Sequence, residues 1–310
     1  MFRLLFILFF LIFDSSAFAA TIINGPLTVD CSRIPQRTVT LNQAATEIML
    51  ALGLEKQMIG TAYMDDTILP RFKTAYDAIP VLAKKYPARE ILLDSDPDFV
   101  YAGYASGFSP KRGLASREEL RKLGISSYLS PSELQKEKGW NIALLYQELR
   151  EIAAIFHVEQ RAETLIANLK KQMNDALPQP PPANKPRILW LDSARPASPL
   201  IGAGNGVPNA IITLAGGDNI FADVDGSWTS VSKEQLLARP ADIIVLIDAE
   251  WDPAAEKKKI LAAAPLYRSL EAVKKKRYVE IPFSSSTPGI RVPEAVKTLA
   301  DAIRGFLKTP

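Results

Sequence analysis

The sequence predicts an α/β protein made of two similar lobes joined by a long helix. Short β-rich runs alternate with helical patterns in both halves of the chain, which is typical of a parallel sheet with crossover helices. An almost unbroken helical pattern separates the halves, and a helix–proline–strand unit occurs once in each. We therefore expect an N-terminal lobe over 21–139, a joining helical segment over 140–177 and a C-terminal lobe over 178–310.

The first twenty residues have the pattern of a cleavable export signal, and residues 1–20 are assigned to it. Arg3 precedes the apolar run Leu4–Phe13, and the string Ala-Phe-Ala at 17–19 supplies the small residues that a signal peptidase reads. The alternative is an uncleaved anchor, but a ten-residue apolar run falls short of the ~20 residues that cross a bilayer. We therefore expect an exported protein that is retained in the periplasm.

Strand and helix patterns follow each other in order through the first half. Each predicted strand is short and rich in β-branched or aromatic residues, and each predicted helix has apolar residues at helical spacing. The strands are predicted at Thr38–Leu41, Met58–Thr61, Phe99–Ala102 and Ile125–Tyr128, and the helices at Gln43–Leu52, Ala88–Leu93 and Ser116–Leu123.

The joining segment has an almost unbroken helical pattern, after which the alternation resumes. Leu145, Leu149 and Ile152 belong to its apolar stripe, with charged residues between them. A proline-rich stretch over 179–186 ends this helix in a stiff linker. In the second half, strands are predicted at Ile188–Leu191, Asp242–Leu246 and Tyr278–Ile281, and helices at Pro208–Leu214 and Pro293–Leu307.

The repeated helix–proline–strand unit is the most informative internal feature. Glu90 belongs to a short amphipathic helix and Asp98 opens a buried strand, and Glu234 and Asp242 have the same roles at the same separation. Such units are common in α/β proteins. The shared offset on either side of a long helical segment nevertheless favours two similar lobes.

Composition excludes several functions. The 37 Lys+Arg and 34 Asp+Glu residues give a net charge of +3, which is too small and too evenly spread to indicate nucleic-acid binding. One His and one Cys cannot build a Cys/His zinc site, an iron–sulfur cluster or an intramolecular disulfide. We therefore predict no metal site and no cofactor, and catalysis with a histidine base would require His157.

Several strings resemble one family. The string RTVTLNQAATEI at 37–48, with LALG at 50–53, resembles the opening of substrate-binding proteins that feed ABC importers of siderophores, haem and cobalamin. The string GGDNIF at 216–221 and the residues around Trp228 and Glu234 are similar to the second-lobe signature of that family. The resemblance implies two Rossmann-like lobes joined by a long rigid inter-lobe helix, with the ligand held between the lobes.

The resemblance also implies the partners. Glu90 and Glu234 match the glutamates with which that family docks onto arginines of its membrane permease, and such charge pairs set the register of an interface. The alternative is that both are helix N-terminal acids favoured by the helix dipole. The implied partners are an ABC permease with its ATPase at the inner membrane and a small-molecule chelate, and the receptor is expected to be a monomer.

Ligand contacts are expected beyond the carboxyl ends of the strands, where open α/β sheets form their ligand crevice. Aromatic rings with a few charged groups suit a planar or chelated, partly anionic ligand. Core packing remains the alternative for each aromatic residue. The predicted ligand-binding residues are Asn42, Gln43, Tyr63, Asp65, Tyr104, Arg195, Trp228, Trp251 and Arg291.

Other strings are interpreted as structural. The glycine-rich run 202–206 lacks the third glycine of a dinucleotide fingerprint, and we interpret it as a tight turn beside the cleft. Lys257–Lys259 and Lys274–Arg277 are expected to be solvated helix faces. His157 lies between two helical stretches and is expected at the surface or at a helix cap. Cys31 is expected to be an unpaired thiol or an intermolecular partner.

The sequence thus predicts a periplasmic solute receptor that is not an enzyme and that delivers a metal chelate to an ABC permease. A ferric siderophore is the first expectation, followed by a cobalamin-like corrinoid and haem. Two alternatives remain open. One is a two-lobed transferase-type enzyme, since a fold does not fix a function, and the other is a receptor for a deazaflavin-type coenzyme precursor.

Overall fold

The computed structural model describes residues 21–308, and the predicted export signal lies outside the described residues. The first lobe begins with an antiparallel hairpin, β1 and β2, that precedes its main sheet. Its strands are β1 (Thr21–Asn24), β2 (Leu27–Asp30), β3 (Thr38–Thr40), β4 (Met58–Ala62), β5 (Val81–Ala83), β6 (Phe99–Ala102) and β7 (Ser126–Leu129), and its helices are α1 (Gln43–Ala51), α2 (Lys73–Asp77), α3 (Arg89–Asp94), α4 (Arg117–Lys122) and α5 (Pro131–Leu134).

The second lobe follows two helices, α6 (Ile142–Phe156) and α7 (Glu159–Ala176). The last described element of this lobe is a long helix, α13 (Val292–Lys308). Its strands are β8 (Arg187–Ser193), β9 (Leu200–Gly202), β10 (Asp218–Asn219), β11 (Trp228–Ser230), β12 (Ile243–Asp248) and β13 (Tyr278–Pro282), and its helices are α8 (Val207–Leu214), α9 (Lys233–Leu237), α10 (Ala254–Ala263), α11 (Pro265–Arg268), α12 (Glu271–Lys274) and α13 (Val292–Lys308).

Each lobe contains one main sheet with helices on both faces. The first sheet is parallel, in the order β5-β4-β3-β6-β7, and the second has the order β11-β9-β8-β12-β13 with β10 paired to β8. In the second sheet β8, β12 and β13 are parallel, whereas β9 and β11 form an antiparallel edge. The two-lobed α/β class is thereby confirmed. The short hairpin, β5 and the antiparallel edge were not predicted, because three- and four-residue strands give too little pattern to recognise.

The inner strands β3, β6 and β12 are buried on both faces, which explains why they form continuous apolar runs rather than alternating ones. Ile243, Val245 and Ile247 of β12 pack into one hydrophobic cluster of the second lobe, and Ile244 and Leu246 pack into the other. Successive side chains of a strand point to opposite faces. Each sheet therefore joins two separate cores, and its loops are left to build the surface between the lobes.

The repeated unit has the same structural role in both lobes. The Asp98 carboxylate accepts a hydrogen bond from the Arg37 main-chain N–H at 2.9 Å, and the Asp242 carboxylate accepts one from the Arg187 N–H at 2.8 Å. In each lobe the aspartate therefore fixes the start of one strand to the start of the parallel strand beside it. Glu90 and Glu234 lie in the first turns of α3 and α9, the helices that precede these strands.

The joining segment is divided into two helices. The helix α6 ends at Phe156, its C-cap His157 has a left-handed backbone with φ of 55°, and α7 begins at Glu159. The imidazole Nε2 of His157 lies 2.7 Å from the Cys31 carbonyl oxygen, so the expected capping position is confirmed. Leu149 in α6 packs in the first lobe and Met173 in α7 packs in the second. The single predicted helix is thus bent, and α7 makes the crossing.

Other predicted segments are placed as follows. Cys31 is a buried free thiol, and burial raises its pKa. Lys257 is fully buried, so the expectation that Lys257–Lys259 is a solvated face is wrong for that residue. Over the range 21–308, the helices do not reach the combination of length and apolar character that would let one cross a membrane.

A clasp of polar contacts holds the lobes together at the base of the cleft. The Arg291 guanidinium of the second lobe donates to the Glu47 carboxylate of α1, with 2.8 Å between Nε and Oε2, and to the Thr67 carbonyl oxygen at 2.9 Å. The Ser284 main-chain N–H donates to the Asp66 carboxylate at 2.7 Å. Both side chains of the ion pair are buried, and the clasp therefore fixes how one lobe faces the other.

Candidate functional site

Two adjoining cavities lie between the lobes, at the carboxyl ends of the main parallel strands. Tyr63 follows β4, Tyr104 follows β6 and Trp251 follows β12, the positions at which open parallel sheets form a crevice. Tyr104 and Trp228 line both cavities. These two rings therefore form the wall between two compartments of one cleft.

The larger compartment, here called the aromatic cavity, has a volume of about 560 Å³. Six of its residues carry aromatic rings that come from both lobes, which gives broad apolar faces suited to a planar ligand. Lys84, Lys85, Asp65 and Ser106 add polar groups. The six aromatic residues are Tyr63, Tyr86, Tyr104, Trp228, Trp251 and Phe283.

The second compartment, here called the polar cavity, has a volume of about 430 Å³. Besides the two shared rings and Trp140, six of its lining residues carry polar or charged side chains. The Trp140 main-chain N–H donates across the cleft to the Asn205 carbonyl oxygen at 2.9 Å. Its polar side chains are those of Ser132, Glu133, Lys136, Glu137, Asn205 and Ser227.

Asp65 is the charged group most enclosed by the aromatic cavity. Asp65 is 8% exposed, and within residues 21–308 its carboxylate accepts no hydrogen bond. Burial, and secondarily the neighbouring Asp66 charge, raises its pKa to about 7. A carboxyl group in this state is partly protonated near neutral pH, so it can both donate and accept hydrogen bonds inside the cavity.

The loop that carries Tyr63 and Asp65 is held from beneath by Gln43. The amide oxygen of Gln43 accepts the main-chain N–H groups of Asp65 at 3.0 Å and Asp66 at 2.7 Å. Its amide nitrogen lies 3.3 Å from Glu47 Oε1. Gln43 therefore connects the cavity wall to the clasp between the lobes.

The Tyr63 ring packs on the Tyr86 ring, with 4.6 Å between centroids. Tyr63 has a φ of 57°, which is strained for a bulky residue and is held only where the surroundings demand it. The Tyr86 hydroxyl in turn shares a hydrogen bond with Ser106 at 2.8 Å. These contacts fix one aromatic wall of the cavity in advance of binding.

The predicted ligand residues fall into two groups. Five of them line the cavities: Tyr63, Asp65, Tyr104, Trp228 and Trp251.

The other four predicted residues lie elsewhere. Gln43 and Arg291 are buried in the network of the clasp. Asn42 is buried and accepts the Gly103 main-chain N–H at 2.7 Å, directly before Tyr104. Arg195 is exposed beyond β8 and lines neither cavity.

Several lining residues were missed by the sequence reasoning. Phe283 directly follows β13 and could have been found by the strand-end rule that selected Trp251. Tyr86, Lys84 and Lys85 follow β5, whose three residues gave no strand signal. Asn205 lies in the glycine-rich run at 202–206, and its place in the wall of the polar cavity confirms the interpretation of that run as a turn beside the cleft.

Glu90 and Glu234 are exposed, one on each lobe. Within the described residues, neither carboxylate takes part in a salt bridge. Hydrogen bonds from its own main chain and from Ser232 lower the pKa of Glu234, so it is ionised at neutral pH. Across residues 21–308, no group of three or more His, Cys, Asp and Glu side chains is arranged to hold a metal ion.

Two α/β lobes that face each other across an aromatic cleft define a bilobed solute-binding protein. The model of the periplasmic binding protein family matches residues 38–284, and the chain belongs to this family. Family membership implies a periplasmic location and a binding role.

Relatives and solved structures agree with this assignment. The chain is 28% identical over 236 residues to a vitamin B12-binding protein of Vibrio campbellii, covering 76% of this chain and 74% of that one. It is 26% identical to a vitamin B12-binding protein of Photorhabdus laumondii, covering 73% and 79%.

Among solved structures, a periplasmic binding protein of Veillonella parvula superposes with a TM-score of 0.80 at 26% identity, covering 92% of this chain and 97% of that one. The periplasmic haem-binding protein HutB of Vibrio cholerae superposes with a TM-score of 0.65 at 24% identity, covering 89% and 99%. The second similarity is one of fold alone.

Proposed function

We propose that this protein is the periplasmic receptor of an ABC importer and that it captures a corrinoid of the vitamin B12 type in the cleft. The observation that carries the proposal is the aromatic cavity, whose six rings from two lobes can enclose a large planar ligand. The polar cavity beside it offers hydrogen bonds to the amide groups and the appended arm of such a ligand. The names of the two curated relatives support the same ligand class.

Ferric siderophores and haem are the competing ligands. Lys84 and Lys85 at the aromatic cavity would favour their anionic groups, which is the specific observation in favour of this second candidate. Asp65 opposes it when ionised, because its carboxylate would then lie beside a ligand carboxylate or hydroxamate in a desolvated space. A corrinoid presents amide N–H groups, for which Asp65 is an acceptor.

Direct titration distinguishes these ligands. The mature chain would be titrated with cyanocobalamin, haemin and a ferric hydroxamate, and binding followed by calorimetry and by the absorbance of each compound. We expect saturable binding of one cyanocobalamin per chain, weakened by Trp228→Ala and Trp251→Ala. Tight binding of haemin or the ferric hydroxamate with none of cyanocobalamin would overturn the corrinoid assignment. Chemical turnover of the ligand would overturn the receptor assignment.

We further propose that Glu90 and Glu234 dock onto basic residues of the permease. Both are exposed, one on each lobe, and a charge on each lobe would set the orientation and the rate of encounter with a basic partner surface. Glu90→Arg combined with Glu234→Arg should abolish ligand uptake by cells and leave ligand affinity unchanged. Glu159→Arg is the matched control because Glu159 is an exposed first-turn acid of α7. Unchanged uptake by the double variant would contradict this docking role.

A further inference from the structure

Lys257 is a buried lysine that neither the cleft walls nor the clasp uses. It lies in α10 and has no exposed surface, whereas its neighbours Lys258 and Lys259 have side chains that are 40% and 72% exposed. A buried ammonium must be matched by hydrogen bonds or by opposite charges, since its removal from water is strongly unfavourable. The groups that match it therefore indicate what it holds in place.

The acceptors of this ammonium all belong to one stretch of chain. Its Nζ donates to the Ile247 carbonyl oxygen at 2.7 Å and to the Asp252 carbonyl oxygen, and it lies 3.3 Å from Asp252 Oδ2. The three N–H groups of a lysine thus have three acceptors at the two ends of the loop that follows β12. Asp192 lies nearby, and burial raises its pKa to about 6 while the Lys257 charge opposes that rise.

The loop closed by these contacts carries Trp251 at its tip. Ala249 and Asp252 form an antiparallel bridge, and the Asp252 N–H donates to the Ala249 carbonyl oxygen at 3.1 Å. Trp251 is 60% exposed and packs edge-on against Phe283, with 5.0 Å between ring centroids. Because so much of the indole is exposed, its own packing cannot fix it, and its position depends on the loop beneath.

We propose that Lys257 is a positioning residue for the ligand site, which holds the loop 248–253 so that the Trp251 ring stands at the aromatic cavity. The proposal rests on the proposed function for the identity of the ligand, but its structural part does not. Without the ammonium, two main-chain carbonyls and a carboxylate would be left without their donor, which costs more than the loss of an average hydrogen bond. The loop would then open, and Trp251 would lose its fixed place.

The structural part is tested without any ligand. In protein labelled with 5-fluorotryptophan, the Trp251 fluorine resonance is identified by its loss in Trp251→Phe. Lys257→Met, which keeps an unbranched apolar side chain but removes the ammonium group, should shift or broaden that resonance and leave the resonance of buried Trp190 in place. Lys258→Met is the control and should change neither. A Trp251 resonance unaffected in folded Lys257→Met overturns the proposal.

If Lys257→Met does not fold, Lys257→Gln serves instead, because its neutral amide keeps a donor but is too short to reach all three acceptors. It should displace the Trp251 resonance in the same direction, and an unchanged resonance again overturns the proposal. Lys257→Arg keeps the charge and the donors and should retain the wild-type resonance more closely than Lys257→Met.

The functional part is tested with cyanocobalamin as the probe. We expect Lys257→Met to weaken binding about tenfold, and to have little further effect when Trp251 is already alanine, since residues that act through one another are not additive. Equal losses in both backgrounds would show a general structural effect and overturn the positioning role. Absence of cyanocobalamin binding by the wild-type protein would overturn the proposed ligand alone, and the fluorine spectra would then decide the positioning role.

Discussion

Replacement of Asp65 by asparagine should stabilise the protein at neutral and higher pH and have little effect in acid. The two side chains have nearly the same shape, so the change removes the charge and leaves the packing in place. Asp65 is enclosed by the aromatic cavity, with Asp66 adjacent and Tyr86 and Tyr104 close by. Lys84 and Lys85 line the same cavity. These lysines are exposed, so burial and the neighbouring Asp66 charge prevail, and folding disfavours the carboxylate form of Asp65.

The magnitude follows from the pKa of Asp65. Burial raises it from 3.8 to about 7, and each unit of pKa corresponds to about 1.4 kcal/mol. The penalty for the charged form in the folded state is therefore at most about 4–5 kcal/mol.

The sign is that of a carboxyl group whose pKa is raised by folding. Below pH ~4 the group is protonated in both states and contributes no difference. Between pH ~4 and ~7 the unfolded chain loses this proton first, so the stability of the wild-type protein falls as the pH rises. Above pH ~7 the full penalty is present. Asp65→Asn should remove this pH dependence, with its largest gain in stability at pH ~8.

Urea unfolding followed by circular dichroism between pH 4 and pH 8 measures the difference. We expect the midpoint of Asp65→Asn to exceed that of the wild type at pH 8 and the two to converge at pH 4. Asp94→Asn is the control because Asp94 is exposed at the end of α3. A gain that is the same at every pH, or no gain at pH 8, would refute the account of Asp65 as a desolvated carboxyl group.

Three further variants test the clasp, the cavity wall and the turn at 202–206. Arg291→Met should lower the free energy of unfolding by about 3–5 kcal/mol because it leaves the buried Glu47 carboxylate unpaired. The control Arg304→Met removes an exposed ion pair and should change the free energy of unfolding by less than about 1 kcal/mol. Similar losses for both variants in urea titrations would argue against the clasp. Asn42→Ala should lower the free energy of unfolding by about 1–3 kcal/mol and weaken cyanocobalamin binding, because Asn42 holds Gly103 beside Tyr104. The control Asn141→Ala removes only the α6 cap bond. It should lower the free energy of unfolding by about 1 kcal/mol and leave the affinity measured by calorimetry unchanged. Gly204→Ala should destabilise by about 1–3 kcal/mol because a Cβ there would collide with the Ala222 carbonyl oxygen, and Gly305→Ala, with open space around its Cβ, should show no such loss of thermal stability.

Some of the cleft could be predicted because strand ends can be located in the sequence. Tyr63, Tyr104 and Trp251 each follow a buried strand, and parallel strands bring their carboxyl ends to one edge. The same rule selected Arg195, which follows β8 but is exposed and lines neither cavity. A rule based on chain position cannot determine the direction of a side chain in a loop, because that direction depends on contacts with distant residues.

The clasp shows a second limit. Glu47 and Arg291 are far apart in the sequence, and each pattern around them indicates only a helix. Their pairing arises because the loop before α13 packs against α1, a contact between lobes that neither segment encodes by itself. Arg291 was selected as a ligand residue for its charge, and the structure gives that charge a partner in the other lobe.

The sequence by itself determined the α/β class and the presence of two similar lobes with a helical segment between them. These properties follow from local periodicity, turn residues and the repeated unit, all of which act over a few neighbouring residues. Tertiary structure alone decided the bend at His157, the burial of Lys257, and which rings of the two lobes meet to form the aromatic cavity. Each of these depends on free energies of burial and pairing between residues that only folding brings together.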